Sequence, residues 1–241
     1  QSLATVFEFP DENKPPESWR NELWIWDIAT GEAIRHFELP NIGDIEWSPD
    51  GESFLITGDN RVHAYLISAT TGTIRQRFAS RFGVPSPHSN KNVTFSQDGQ
   101  LIALAQNGVV VYGSAPYNPS GVVYVWDATF SEPMLVLSGH VQSLREAVFS
   151  PTARYIVGVG NDDMVRVWDA RNGQLLAHIR DHALNYRYSL NTDIGMIATG
   201  DSETHIHLWD TDTFTEHLIK ANEGEGAMLR TEFSADGRYL I

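Results

Sequence analysis

A chain of 241 residues with 41% hydrophobic content is long enough to bury a core of its own. It contains no cysteine, which excludes disulfides and thiolate metal sites, and no apolar run approaches the length of a membrane-spanning helix. The formal net charge of −14 comes without a basic cluster, so a nucleic-acid partner is not expected, because phosphate binding draws on grouped Lys and Arg.

In chain order, residues 1–9 read as a strand that would stand second in its sheet. A proline-rich insertion ending in Trp19 and Arg20 leads to Glu22-Leu-Trp-Ile-Trp26, followed by Asp27. Trp47-Ser-Pro-Asp-Gly51 is a turn signal: the Asp side chain can accept a turn N–H, and glycine tolerates positive φ. Ile67-Ser68 stands as a worn copy of the Trp-Asp phrase. A long connection, Ser80 to Asn90, holds Arg81, Phe82 and His88, and Phe95-Ser-Gln-Asp-Gly99 repeats the turn signal. A further insertion, Gly113 to Gly121 with Tyr117, precedes Val122-Val-Tyr-Val-Trp126 and Asp127. The next unit shows four strand candidates, Leu144 to Phe149, Tyr155 to Val159, Met164 to Trp168 and Gln174 to Ile179. His205-Ile-His-Leu-Trp209 with Asp210 closes another copy, and Phe233-Ser-Ala-Asp-Gly237 opens a last one.

Counting the worn copy, the phrase recurs at 26, 67, 126, 168 and 209, in steps of 41, 59, 42 and 41 residues. A period in this range predicts a repeat architecture, and strand segments that alternate with period two make the expected class all-β. Met164-Val-Arg-Val-Trp168 puts Val165 and Val167 on one face and Arg166 and Trp168 on the other. Both faces are bulky, so each four-stranded antiparallel sheet is expected to lie between two neighbours in a radial ring.

These motifs resemble the WD-repeat β-propellers over nearly the whole chain. His140, in Ser138-Gly139-His140, precedes Trp168 by 28 residues, and His182 precedes Trp209 by 27, similar to the family's Gly-His to Trp-Asp spacing. The resemblance implies a buried network of His, turn Asp, Ser or Thr, and Trp. His140, Asp162 and Trp168 match in one blade, with Gly158 to Gly160 where Ser or Thr is usual. His182, Thr199 and Trp209 match in the next, with Glu203 where Asp is usual. It also implies five blades plus parts at both ends, as a fragment of a seven-bladed ring. The expected single domain, 1–241, divides into a partial blade 1–39, blades 40–80, 81–138, 139–180 and 181–220, and a partial blade 221–241. The alternative is a small ring in which Gln1 and Ile241 meet within one blade.

In such a blade the second-to-third turn and the connection to the next blade open on one face, so the three insertions emerge together. Trp19, Phe82 and Tyr117, with Arg81 and His88 beside Phe82, are candidates for meeting a partner there. The plainer reading is that these rings pack the insertions onto the blade edges. The expected function is a non-catalytic protein- or peptide-interaction scaffold, which the resemblance supplies rather than any visible site. A second reading places an enzyme or small-ligand site in the central channel, where the inner strands carry Glu46, Arg145, Glu146, Arg187 and Arg230. A third makes the chain the recognition segment of a larger multidomain protein. No cofactor, metal or membrane partner is expected. His205 and His207 share a strand face, but both are read as contacting the next blade, with no third ligand beside them. Asp162 and Asp163 diverge as chain neighbours, so a catalytic carboxylate pair is not expected.

Overall fold

The computed structural model describes residues 2–9, 20–39, 44–57, 64–79, 92–107, 121–180, 188–191, 195–200, 205–211, 213, 215–220, 233–234 and 236–240. Every regular element among them is a strand. The first sheet has three, β1 (Ser2–Phe9), β2 (Arg20–Asp27) and β3 (Ala33–Leu39). The second holds β4 (Ile45–Trp47), β5 (Ser53–Thr57), β6 (Ala64–Ser68) and β7 (Ile74–Phe78). The third holds β8 (Asn92–Phe95), β9 (Leu101–Asn107), β10 (Gly121–Asp127) and β11 (Leu135–Leu137). The fourth holds β12 (Leu144–Phe149), β13 (Tyr155–Gly160), β14 (Met164–Asp169) and β15 (Leu175–Arg180). The fifth holds β16 (Tyr188–Asn191), β17 (Met196–Gly200), β18 (His205–Asp210) and β19 (Glu216–Lys220). Each sheet is an antiparallel meander, and an isolated bridge pairs Phe233 with Leu240 after the fifth. The all-β class and the four-stranded blades are those the repeats predict.

The turns show why the repeat carries these residues. Ser48 donates to Asp50 and accepts the Ser53 N–H at 3.0 Å, while Gly51 takes φ +71°. Ser96 with Asp98, and Ser234 with Asp236, build the same turn. In the fourth sheet Ala153 holds φ +54° where the others have glycine, and Thr152 stands 3.4 Å from the Ser150 hydroxyl. At the Trp-Asp turns Asp27 accepts the Ala29 and Thr30 N–H groups, and Asp169 those of Arg171 and Asn172. In the worn copy the Ser68 hydroxyl accepts from Thr70 and Thr71, both at 3.3 Å, so Ser in place of Asp keeps the turn with a neutral acceptor and longer bonds.

The core lies between sheets. Leu23 and Ile25 meet Phe54, Ile56 and Ile67 between the first and second, and Leu55 and Phe78 meet Ile102, Leu104 and Trp126 between the second and third. Ala103, Val123 and Val125 meet Leu144, Ile156 and Trp168 at the third seam, and Val157, Val165 and Val167 meet Ile197 and Trp209 at the fourth. Period-two alternation sends neighbours such as Leu55 and Ile56 to opposite seams. Each fully buried Leu, Ile or Phe contributes roughly 1.5–3 kcal/mol, so the seams dominate the stability. In blades three to five the third-strand Trp faces the preceding blade; Trp126, wholly buried, lies 5.9 Å from the Phe78 ring. No apolar cluster among the described residues joins the first sheet to the fifth. The readings that involve Gln1 and Ile241 fall outside the described residues.

Candidate functional site

Two polar constellations stand out, one inside blade four and one along the inner strands. In blade four, Gly158 and Gly160 on β13 share the face that carries Arg166 and Trp168 on β14. Both glycines are demanded by space. A Cβ at 158 would fall 2.7 Å from the Trp168 ring, and one at 160 would fall 2.2 Å from His140 Nδ1. Into this hollow sit the His140 and Trp168 rings, 5.8 Å apart. His140 Nδ1 lies 2.7 Å from Asp162 Oδ1, and Asp162 Oδ2 accepts from Val141 N–H at 3.0 Å and Arg166 Nη1 at 2.9 Å.

Burial pushes the His140 imidazole below its ordinary value against the pull of Asp162, which favours the neutral ring, and its Nδ1 faces both Asp162 Oδ1 and, at 2.8 Å, Arg166 Nη1. Burial also works to raise the Asp162 carboxyl, but the His140 and Val141 bonds and the Arg166 charge outweigh it and hold it low. Sequence reasoning missed Arg166, whose signal is its place four residues after Asp162 on the Trp168 face. It also missed Thr5, which stands in blade one where Gly158 stands in blade four and accepts from Trp26 Nε1 at 2.8 Å. The Trp–hydroxyl half of the network is present in blade one, and the His–Asp half in blade four.

Trp209 packs on blade four, and Thr199 pairs with His207 and Tyr188 in the fifth sheet, while His182 and Glu203 lie outside the described residues. His207 corrects an expectation. It shares the Trp209 face, which in this repeat meets the preceding blade and not the next, and its Nδ1 pairs with Glu216. Among the described residues no three His, Asp or Glu converge as a metal site.

The second constellation lies where the channel charges were expected. Asp44 Oδ2 accepts the Val93 N–H at 3.1 Å, and Glu46 Oε1 accepts the Phe95 N–H at 3.2 Å and the Thr94 hydroxyl at 3.3 Å. One blade further, Asn92 Oδ1 accepts the Ala147 N–H at 3.0 Å. These side chains cap the free edge of the next inner strand, which a sheet otherwise leaves unpaired. Burial raises both carboxyls against the pull of these bonds, and Asp44 adds repulsion that helps bring Glu46 to about 7. Arg145 donates to Asn161 on its own blade. Arg187 and Arg230 lie outside the described residues, as do all five candidate partner-binding residues, Trp19, Arg81, Phe82, His88 and Tyr117.

Residues 131–169 match the family described as WD domain, G-beta repeat. The nuclear distribution protein PAC1 of Coccidioides posadasii is 28% identical over 156 residues, 60% of this chain and 32% of that protein. Eukaryotic translation initiation factor 3 subunit I of Pyricularia oryzae is 32% identical over 108 residues, 44% of this chain and 31% of its own length. WD repeat and SOCS box-containing protein 1 of Mus musculus is 27% identical over 125 residues, 50% of this chain and 27% of its own. The matched region thus spans between 27% and 32% of the length of these relatives. A matched repeat, these relatives, and sheets that close on the same Trp-Asp turn support a WD-repeat family for the chain.

Proposed function

We propose that the chain is a non-catalytic scaffold that holds a protein or peptide across the face formed by residues 10–20, 80–90 and 113–121. Trp19, Phe82 and Tyr117 are the anchors, and Arg81 and His88 the polar contacts beside them. One observation carries this reading: the distinctive polar groups of the frame are spent on holding it together. His140, Asp162 and Arg166 tie one blade internally, while Asp44 and Glu46 tie blade two to blade three and Asn92 ties blade three to blade four. A frame of that kind is rigid, and its recognition chemistry belongs to its loops. WD-repeat proteins generally act in this way, and one relative is by its name a subunit of a larger factor.

The test is a Trp19→Ala, Phe82→Ala, Tyr117→Ala triple variant beside the unsubstituted chain. Both are immobilised and exposed to the same peptide library, with thermal unfolding as the control for folding. Loss of the bound peptides by a variant that still unfolds cooperatively supports the face. Equal recovery of the same peptides by both removes it.

A further inference from the structure

The inner strands of blades two and three are joined by more than apolar packing. Asp44 and Glu46 are two residues apart, so period two turns both toward blade three, where Val93 and Phe95 present N–H groups with the same spacing. Asp44 is itself fixed, its N–H donating to Thr57 Oγ1 at 2.7 Å and its carbonyl accepting the Thr57 N–H at 3.0 Å. At the next seam the position of Asp44 is taken by Asn92, a neutral amide.

We propose that the seam between blades two and three is a proton-responsive joint: a proton taken up by the Asp44–Glu46 pair holds the two inner strands together, and its release loosens them. These two half-buried carboxylates divide four donors, Val93 and Ile45 N–H at Asp44, and Phe95 N–H and the Thr94 hydroxyl at Glu46. Among the described residues the elements packed against them bring no cation: β5 carries no ionisable side chain, and β8 offers Asn92 and Thr94. Arg145 and Glu146 stand beyond β8 on β12. Protonated Glu46 keeps its Oε1 as acceptor for Phe95, so the bond survives while the repulsion from Asp44 is relieved. When the seam opens, Glu46 is hydrated and returns to ordinary carboxylate behaviour. Closure and proton uptake are therefore linked. Residues 80–91 connect these same two blades, so the joint borders the segment that carries Arg81, Phe82 and His88.

Hydrogen exchange at the Val93 and Phe95 amides, corrected for the intrinsic rate, tests this in the chain at pH 5.5 and 7.5. Opening is expected to rise about twentyfold over that interval, and Glu46→Gln is expected to abolish the change. The Ala147 amide at the neutral seam is the reference and shows no such rise with pH in either chain. Exchange at Val93 and Phe95 that is flat with pH, or an unchanged dependence in Glu46→Gln, overturns the proposal. Should Glu46→Gln fail to fold, the carbon-13 carboxyl resonance of Glu46 in the unsubstituted chain decides. A midpoint near 7 supports the joint, and one at the ordinary 4.5 overturns it.

Discussion

Blade four and the seam between blades two and three are cut from one repeat, yet polar groups hold them in different ways. Blade four spends its buried charge inside itself, on a His–Asp–Arg cluster that pins Val141 to the turn at Asp162. Blade two, whose Trp-Asp phrase has decayed to Ile67 and Ser68, places its carboxylates on the inner edge and reaches across to the next blade. The difference teaches that a repeat can lose its internal signature and still be fixed by its neighbour.

Breaking the blade-four side should cost most. Asp162→Ala strands His140, Arg166 and the Val141 N–H without their acceptor, and urea unfolding should show a loss of about 3–5 kcal/mol. Gly158→Ser restores the family's usual residue type, yet its Cβ falls 2.7 Å from the Trp168 ring, so it should destabilise by about 1–3 kcal/mol in the same assay. A gain of stability would mean that the indole can move aside. Ala153→Gly relieves a left-handed backbone and should stabilise by about 1 kcal/mol, read as a rise in the unfolding midpoint. Ser68→Asp, which rebuilds the worn turn, should add roughly 0.5 kcal/mol.

Acid sharpens the comparison, because the two regions answer it in opposite senses. His140 is held neutral, so the stability of blade four is whole above its ordinary 6.5 and declines as pH falls below it. Glu46 is raised, so its contribution is whole below 4.5 and is lost as pH rises through about 7. Between pH 7.5 and 5.5, exchange at the Val141 and Asn161 amides should quicken relative to the intrinsic rate, while that at Val93 and Phe95 slows. Parallel changes at both places would contradict the account.

Much of the frame was legible in the sequence because it is written in local code. The spacing of Trp26, Trp126, Trp168 and Trp209, the Ser-x-Asp-Gly turns, and the two faces of Met164 to Trp168 all follow from nearby residues. The inner-strand bonds were not legible. Asp44 and Glu46 bind backbone N–H groups 49 residues away, and a backbone donor leaves no mark on residue identity. The side on which His207 lies was misjudged for a related reason: period two tells which residues share a face, not which neighbour that face meets. Gly158 and Gly160 read as a gap in the network, whereas in the structure they make room for the His140 and Trp168 rings.

The central claim is that successive repeats fold as separate sheets, each packed on the one before it. The absence of cysteine makes a direct test clean. The Ala79 N–H donates to the Ser131 carbonyl at 3.2 Å, joining the end of blade two's outer strand to a turn of blade three. That places the two backbones within reach of a disulfide. An Ala79→Cys, Ser131→Cys chain should oxidise to a single internal crosslink in native buffer, while an Ala79→Cys, Arg171→Cys control stays reduced. Equal crosslinking of both pairs, or none in the first, would contradict the account.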